Sequence, residues 1–176
     1  MLIKTFTGNA FLLGDHVNTD ILHPPDYFSL EKDRIASGLS KGAEDFFSRM
    51  AKDDIIVAGR NFGCGSSRES SARSFAYNGI RAIVAESFAR IFFRNLTNQG
   101  IYLITCPGIA KKAVQGESLV IDLEKLEVRS KHQSWALPCS PLPEYIQSVL
   151  EKGGLLKFLE EEIKTNQVRE LPAPEL

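Results

Sequence analysis

The stretch Gly59-Arg60-Asn61-Phe62-Gly63-Cys64-Gly65-Ser66-Ser67-Arg68-Glu69 constrains the fold of this chain more than any other. It follows the apolar run Asp54-Ile55-Ile56-Val57-Ala58, which reads as a buried strand, and precedes a helical pattern beginning near Ser67. The segment is therefore a strand, a glycine loop and a helix start in succession. The first N–H groups of a helix have no partner within it, and together with the macrodipole they favour an anion. Gly59, Gly63 and Gly65 let the backbone bend sharply and approach a ligand closely. Arg68 adds a planar fork of donors suited to a carboxylate or phosphate. The same residues also read as a plain helix start, with Ser66 or Ser67 as cap and Glu69 or Ser70 in the first turn. The loop is neither a Walker A motif nor a dinucleotide fingerprint, and no Lys follows its last glycine. Local physics leaves both readings open.

From Asp54 to Thr105 the pattern alternates strand, helix, strand, helix, strand, which predicts parallel strands joined by crossover helices. Before it, Ile3 to Phe6 and Asn9 to Leu13 read as two short strands about a Thr7-Gly8 hairpin turn. Gly42 to Met50 has helical periodicity, with Phe46, Phe47 and Met50 on one apolar face. Beyond Pro107, Ser118 to Leu123 and Leu126 to Arg129 read as antiparallel strands turning at Glu124-Lys125, and Trp135 belongs to a third. Pro143 to Lys152 and Gly154 to Lys164 read as helices meeting at Gly153-Gly154. The expectation is an α/β fold in a single domain over residues 1–164, with a frayed tail over 165–176.

With 176 residues, one domain with a full core fits and two do not. A net charge of −1 offers no bulk attraction to nucleic acid or to an anionic membrane. No segment reaches the apolar length of a membrane span and no signal-peptide pattern opens the chain, so a cytoplasmic location is expected. The three cysteines, Cys64, Cys106 and Cys139, are odd in number and far apart. That speaks against a disulfide framework and against this chain holding an iron–sulfur cluster alone. Cys64 lies where a helix start lowers a thiol pKa, yet no other feature asks for thiol chemistry, and it reads as a small loop residue. His16, His23 and His132 have no metal-ligand spacing; turn or surface positions are the expectation, and no metal is assigned to the chain.

Gly-Cys-Gly-Ser-Ser-Arg-Glu resembles the signature of the small swivelling domain of the aconitase superfamily of hydro-lyases. Arg81 to Phe92 with Asn95 is similar to that superfamily's next strand–helix unit, and Gly100-Ile101-Tyr102-Leu103 to the strand after it. Asp15-His16-Val17-Asn18-Thr19-Asp20 is similar to its Asp-x-x-x-Thr-Asp loop. These blocks keep order and spacing from about Gly14 to Thr105. At this length the chain resembles the separate small subunits of the isopropylmalate dehydratase kind, or those of a relative such as homoaconitase.

The resemblance implies a β/β/α swivelling fold, with a parallel or mixed sheet, crossover helices and a small antiparallel β appendage. It implies that Ser66 is the catalytic base, acting as an alkoxide, with Asp20 organising the site. Ser67 would support the oxyanion or bind substrate, and Arg68 would grip a substrate carboxylate. A [4Fe–4S] cluster is expected on a partner large subunit, none on this chain, and the substrate is a small hydroxy di- or tricarboxylate. The loop Tyr27-Phe28-Ser29-Leu30 occupies the substrate-specificity position. Arginine at position 29 would suit an extra carboxylate; Ser29 cannot, while Phe28 and Leu30 offer surface for a branched alkyl group. Two departures stand out. Asp26 replaces a commonly basic residue, and Ser70-Ser71 replaces the His-Ala expected after Arg-Glu. Another alkyl-substituted malate, or a non-catalytic anion-binding role, are the alternatives. Arg60 is unassigned and reads as structural.

Overall fold

The computed structural model describes residues 3–41, 47–51, 53–65 and 68–166. Seven strands run in chain order: β1 Thr5–Leu12, β2 Ile55–Ala58, β3 Ala82–Ala85, β4 Tyr102–Thr105, β5 Ser118–Asp122, β6 Glu127–Ser130 and β7 Ala136–Pro138. The α-helices among the described residues are α1 Thr19–Leu22, α2 Lys32–Lys41, α3 Glu69–Tyr77, α4 Arg90–Asn98, α5 Ile109–Lys112, α6 Glu144–Glu151 and α7 Leu155–Asn166. The described strands form a seven-stranded sheet in the order β4-β3-β2-β1-β5-β6-β7. The expected parallel half is present: β1, β2, β3 and β4 pair in parallel through crossovers containing α3 and α4. β5, β6 and β7 pair antiparallel, and β5 pairs antiparallel with β1. The antiparallel part therefore continues the same mixed sheet.

Strand periodicity sorts the core into two clusters. Ile55 and Val57 of β2, Ala82 and Val84 of β3, and Tyr102 and Ile104 of β4 share one cluster with Leu119, Ile121 and Val128 of the antiparallel half. For both halves to reach that cluster, the sheet curls around it. Ile56 and Ala58, Ile83 and Ala85, and Leu103 point the other way, onto Phe62, Phe75, Phe92 and Leu96. The second face is closed by α3 and α4, whose Phe75 and Phe92 rings meet edge to face at 5.6 Å.

The expected hairpin at Thr7-Gly8 is absent, because β1 is one continuous strand. Thr5 to Asn9 pair with β5, and Ala10 to Leu12 pair with β2. Gly8 marks a close approach instead of a turn: a Cβ there would stand 2.0 Å from the Asp53 carbonyl oxygen. Of the helix expected over Gly42 to Met50, residues 42–46, Phe46 included, lie outside the described residues. Phe47–Arg49 form a 3₁₀ turn, and Phe47 and Met50 pack on the second cluster. The Glu124-Lys125 turn is held by Asp122, whose Oδ1 accepts from both backbone amides at 3.1 and 2.9 Å. β7 begins one residue after Trp135, whose carbonyl accepts from the Ser130 amide at 3.3 Å. α7 runs through Thr165 to Asn166, and the remainder of the expected tail, 167–176, lies outside the described residues.

Candidate active site

The glycine loop leaves the carboxyl end of β2, where open α/β sheets hold their ligands. Neighbouring loops hold it from both sides. Toward β1, Gly59 N–H donates to Gly14 O at 3.1 Å, His16 N–H to Arg60 O at 2.7 Å, and Gly63 N–H to Val17 O at 2.9 Å. Thr19 N–H donates to Cys64 O at 2.8 Å, extending the parallel β1–β2 pairing past the strand ends. Toward β3, Phe62 N–H donates to Ser87 O at 2.9 Å, and Asn61 N–H to Ser87 Oγ at 2.9 Å. Many of the loop's backbone polar groups are thereby paired without regular secondary structure.

Gly63 and Gly65 are required by the protein's own backbone and packing. Gly63 has φ +82°, and a Cβ on it would fall 1.9 Å from the Phe92 ring. Gly65 has φ +112°, and a Cβ would fall 2.1 Å from Asn18 Oδ1. That Asn18 oxygen caps α1 by accepting from Asp20 N–H at 2.8 Å. Asp20 therefore sits half-buried in the first turn of a helix whose cap touches Gly65.

Arg60 fulfils the structural reading. Its amide donates to Asp15 Oδ1 at 2.7 Å, while Nε and Nη2 reach Oδ2 at 3.1 and 2.8 Å. The Arg60 amide, then its guanidinium, hold the Asp15 carboxyl below the usual carboxylate range. The pair ties the loop after β1 to the loop after β2. Cys64 donates its thiol to His16 O at 3.1 Å, in keeping with a packed loop residue. Cys106 and Cys139 are buried, and burial pushes the Cys106 thiol up to about 12 and Cys139 upward as well, so neither is a thiolate near neutral pH. Among the described residues no three His, Cys, Asp or Glu side chains gather in a way that would hold a metal ion.

The arrangement that matters most chemically is a stack of three side chains. The Arg68 guanidinium lies over the Phe28 ring, 4.6 Å from its centroid, and the His23 ring stacks with Phe28 at 5.4 Å. Arg68 precedes the first residue of α3 and pairs with no carboxylate among the described residues. The neighbouring Glu69 is taken by Arg73 at 2.7 Å. An arginine laid on an aromatic face keeps its in-plane N–H donors available. Phe28 therefore orients Arg68, a role its position in the sequence does not disclose.

His23 is the clearest departure from expectation. It is neither a turn nor a surface residue but fully buried, 0% exposed. Its Nε2 lies 3.1 Å from the Ile35 carbonyl, which can only accept, so Nε2 carries the proton and donates. Nδ1 then accepts from the Ser71 hydroxyl at 3.3 Å. Burial pushes the His23 pKa down, against the Ile35 hydrogen bond. Ser71, noticed in the sequence only as a departure, is the group that completes this histidine. That departure was the available signal, and periodicity alone did not supply the partner.

The rest of the loop expected to set specificity divides. Tyr27 closes a 3₁₀ turn, Pro25–Tyr27, and is half-buried, while Ser29 Oγ accepts from Glu31 N–H at 3.1 Å at the approach to α2. Leu30 is 94% exposed and touches solvent. Asp26 is also exposed, and its carbonyl accepts from Arg34 Nη2 at 2.8 Å. Ser66 and Ser67 lie outside the described residues.

Residues 40–108 match the family model of the aconitase C-terminal domain. An isopropylmalate/citramalate isomerase small subunit of Methanocaldococcus jannaschii is 39% identical over 162 residues, covering 91% of this chain and 96% of that one. The chain belongs to the 3-isopropylmalate dehydratase small-subunit family. A crystal structure of 3-isopropylmalate dehydratase from M. jannaschii superposes with a TM-score of 0.85 at 33% identity, covering 94% of this chain and 99% of that one. A methanogen homoaconitase small subunit from Methanothermobacter thermautotrophicus is 42% identical over 163 residues, with 90% and 92% covered. Small subunits of this family thus carry more than one substrate name, while the fold spans nearly the whole chain.

Proposed function

We propose that the chain is the small subunit of a heteromeric hydro-lyase that converts 2-isopropylmalate to 3-isopropylmalate by dehydration and rehydration, as in leucine biosynthesis. The observation that carries this reading is the Arg68 guanidinium, without a carboxylate partner among the described residues and oriented on Phe28 at the end of the glycine loop. It is a fork awaiting a carboxylate. In this reading Arg68 fixes a substrate carboxylate, and Ser66, as its oxyanion, takes the proton from the adjacent carbon. The electron pair left behind forms the carbon–carbon double bond as hydroxide departs. Rehydration of the alkene with the opposite orientation moves the hydroxyl.

A serine hydroxyl is a weak acid, and its anion needs compensating donors. The first N–H groups of α3, Arg68 and Ser67 are the devices this chain has for that purpose. Asp20, carried on α1 beside Gly65, organises the site from the other side. The Lewis acid that accepts the departing hydroxyl would be a [4Fe–4S] cluster on the large subunit; two of the three cysteines here are buried. No helix among the described residues is long and apolar enough to cross a membrane, which accords with a cytoplasmic biosynthetic enzyme.

The 42% identity to a homoaconitase small subunit favours a second substrate, one with an additional carboxylate. Against it, residues Tyr27 to Leu30 carry no cation, and Arg34 is engaged at the back of the loop by Asp26 O. The test is co-expression with the large subunit and an anaerobic assay on 2-isopropylmalate, citramalate and homocitrate. The largest kcat/KM should fall on isopropylmalate. A preference for homocitrate would install the second reading, and no turnover of any of the three acids would overturn both.

A further inference from the structure

A cavity of about 810 Å³ opens between α4, α6 and the start of α7, on a side of the β3–α4 loop that neither Arg68 nor Phe28 lines. Its volume lies in the range of small-molecule sites. Arg90, Arg94 and Thr97 contribute to it from α4, at spacings that place them along one helix face. Neither arginine pairs with a carboxylate among the described residues. Glu86, the nearest acid along the chain, instead accepts from the Ala110 amide at 3.3 Å. Two like charges one helical turn apart repel, and an anion between them relieves that repulsion.

Thr97 is 1% exposed, and its hydroxyl has no hydrogen-bond partner among the described residues. A buried polar atom left unpaired is costly and is normally satisfied by something. Phe88, Phe93 and Tyr145 give the wall an aromatic part, beside the polar Ser87, Asn98 and Thr105. Tyr145 is 59% exposed, a large aromatic surface facing an open cavity.

One residue links the cavity to the glycine loop. Ser87 lines the cavity, and the same residue accepts from Asn61 and Phe62 through Oγ and O. Phe93 meets Phe88 at 5.7 Å, and Phe88 meets Phe62 at 6.2 Å, both edge to face. Any group that orders this wall therefore bears on the backbone that presents the signature.

We propose that this cavity is a second ligand site, separate from the signature site, for a small amphipathic carboxylate whose occupancy is transmitted to the glycine loop through Ser87. Arg90 and Arg94 receive the head group, and the aromatic wall receives the tail.

Hexanoate is the probe, titrated into the full chain and followed by backbone amide NMR, with hexan-1-ol as the tail without charge. The expected result is a saturable response centred on Ser87, Phe93 and Thr97 and extending to Asn61 and Phe62. Hexanoate should bind about tenfold or more tightly than hexan-1-ol, and the combined Arg90→Gln and Arg94→Gln variant should erase that difference. Arg68→Gln should leave hexanoate binding in place. A response centred on Arg68 and Phe28, or lost with Arg68→Gln, would assign the carboxylate to the signature site and overturn the proposal. So would equal affinity for acid and alcohol, or no saturation. A response that stops at Ser87 would overturn the transmission to the loop.

Discussion

The two halves of the sheet solve different problems. β2 and β3 are buried at every position, as expected of parallel strands covered on both faces, and their crossover loops all leave at one end. β6 alternates half-buried and buried residues, with one face toward water, and the residues of the signature and the Arg68 stack all lie elsewhere. Catalytic residues gather where crossover loops converge, whereas tight antiparallel connections such as Asp122 to Glu127 have little chain to spare for them. The parallel half should therefore answer to mutation in rate, and the antiparallel half in stability.

The largest expected effect is Ser66→Ala, measured as kcat in the reconstituted two-subunit enzyme. Loss of proton transfer should lower kcat by roughly 10²–10⁴-fold with assembly intact. Near-normal turnover would remove Ser66 from the chemistry and blur the distinction between the halves.

Ile121→Ala probes the opposite half. Ile121 is fully buried in β5, in the cluster shared by both halves. Truncation should cost about 2–5 kcal/mol in denaturant unfolding, with kcat unchanged in the fraction that remains folded. A drop in kcat of the folded enzyme would show that the antiparallel half shapes the site.

Arg68→Lys keeps the charge but not the planar fork. Loss of a charge-assisted, bidentate contact should lower kcat/KM by about 10–100-fold. Phe28→Leu, which removes the platform under the guanidinium, should lower it in the same direction by less. Wild-type kinetics for both would reduce the stack to packing.

The smallest effect is in pH. The His23 pKa is held below its ordinary value of about 6.5 by burial, so the folded state favours the neutral ring. Its contribution is complete above that ordinary value and is lost as the pH falls through the depressed one. Wild-type Tm should fall more steeply than that of His23→Gln between about pH 7.5 and 5. Parallel curves would mean that His23 does not couple to folding.

Much of this was legible in advance because it rests on local pattern. The run Ile55 to Ala58, the three glycines and the start of α3 follow one another in the chain, and periodicity announces each. What stayed hidden depends on distant partners. Gly8 resembles a turn residue until Asp53, far along the chain, is seen to press on it. His23 resembles a surface histidine until Ile35 and Ser71 close over it. The sharp bend at Gly63 and Gly65 is legible in the residue type, whereas the room they make for Phe92 and Asn18 is not. The place of the Phe28 ring between His23 and Arg68 likewise depends on a partner distant in the chain, Arg68. In each case the residue type was noticed and the neighbour was not.

The double pairing of β1 has a consequence for synthesis. Thr5 to Asn9 pair with residues 118 to 122, so one edge of β1 waits for chain made more than a hundred residues later. When Thr105 leaves the ribosome, every strand that bears the signature loops has been made, but that edge still offers unpaired amides and carbonyls. Such an edge is open to pairing with another chain until its own partner arrives. β5 is thus a guard as well as a strand: it carries no chemistry, and its arrival closes the interval in which the nascent subunit is exposed to aggregation.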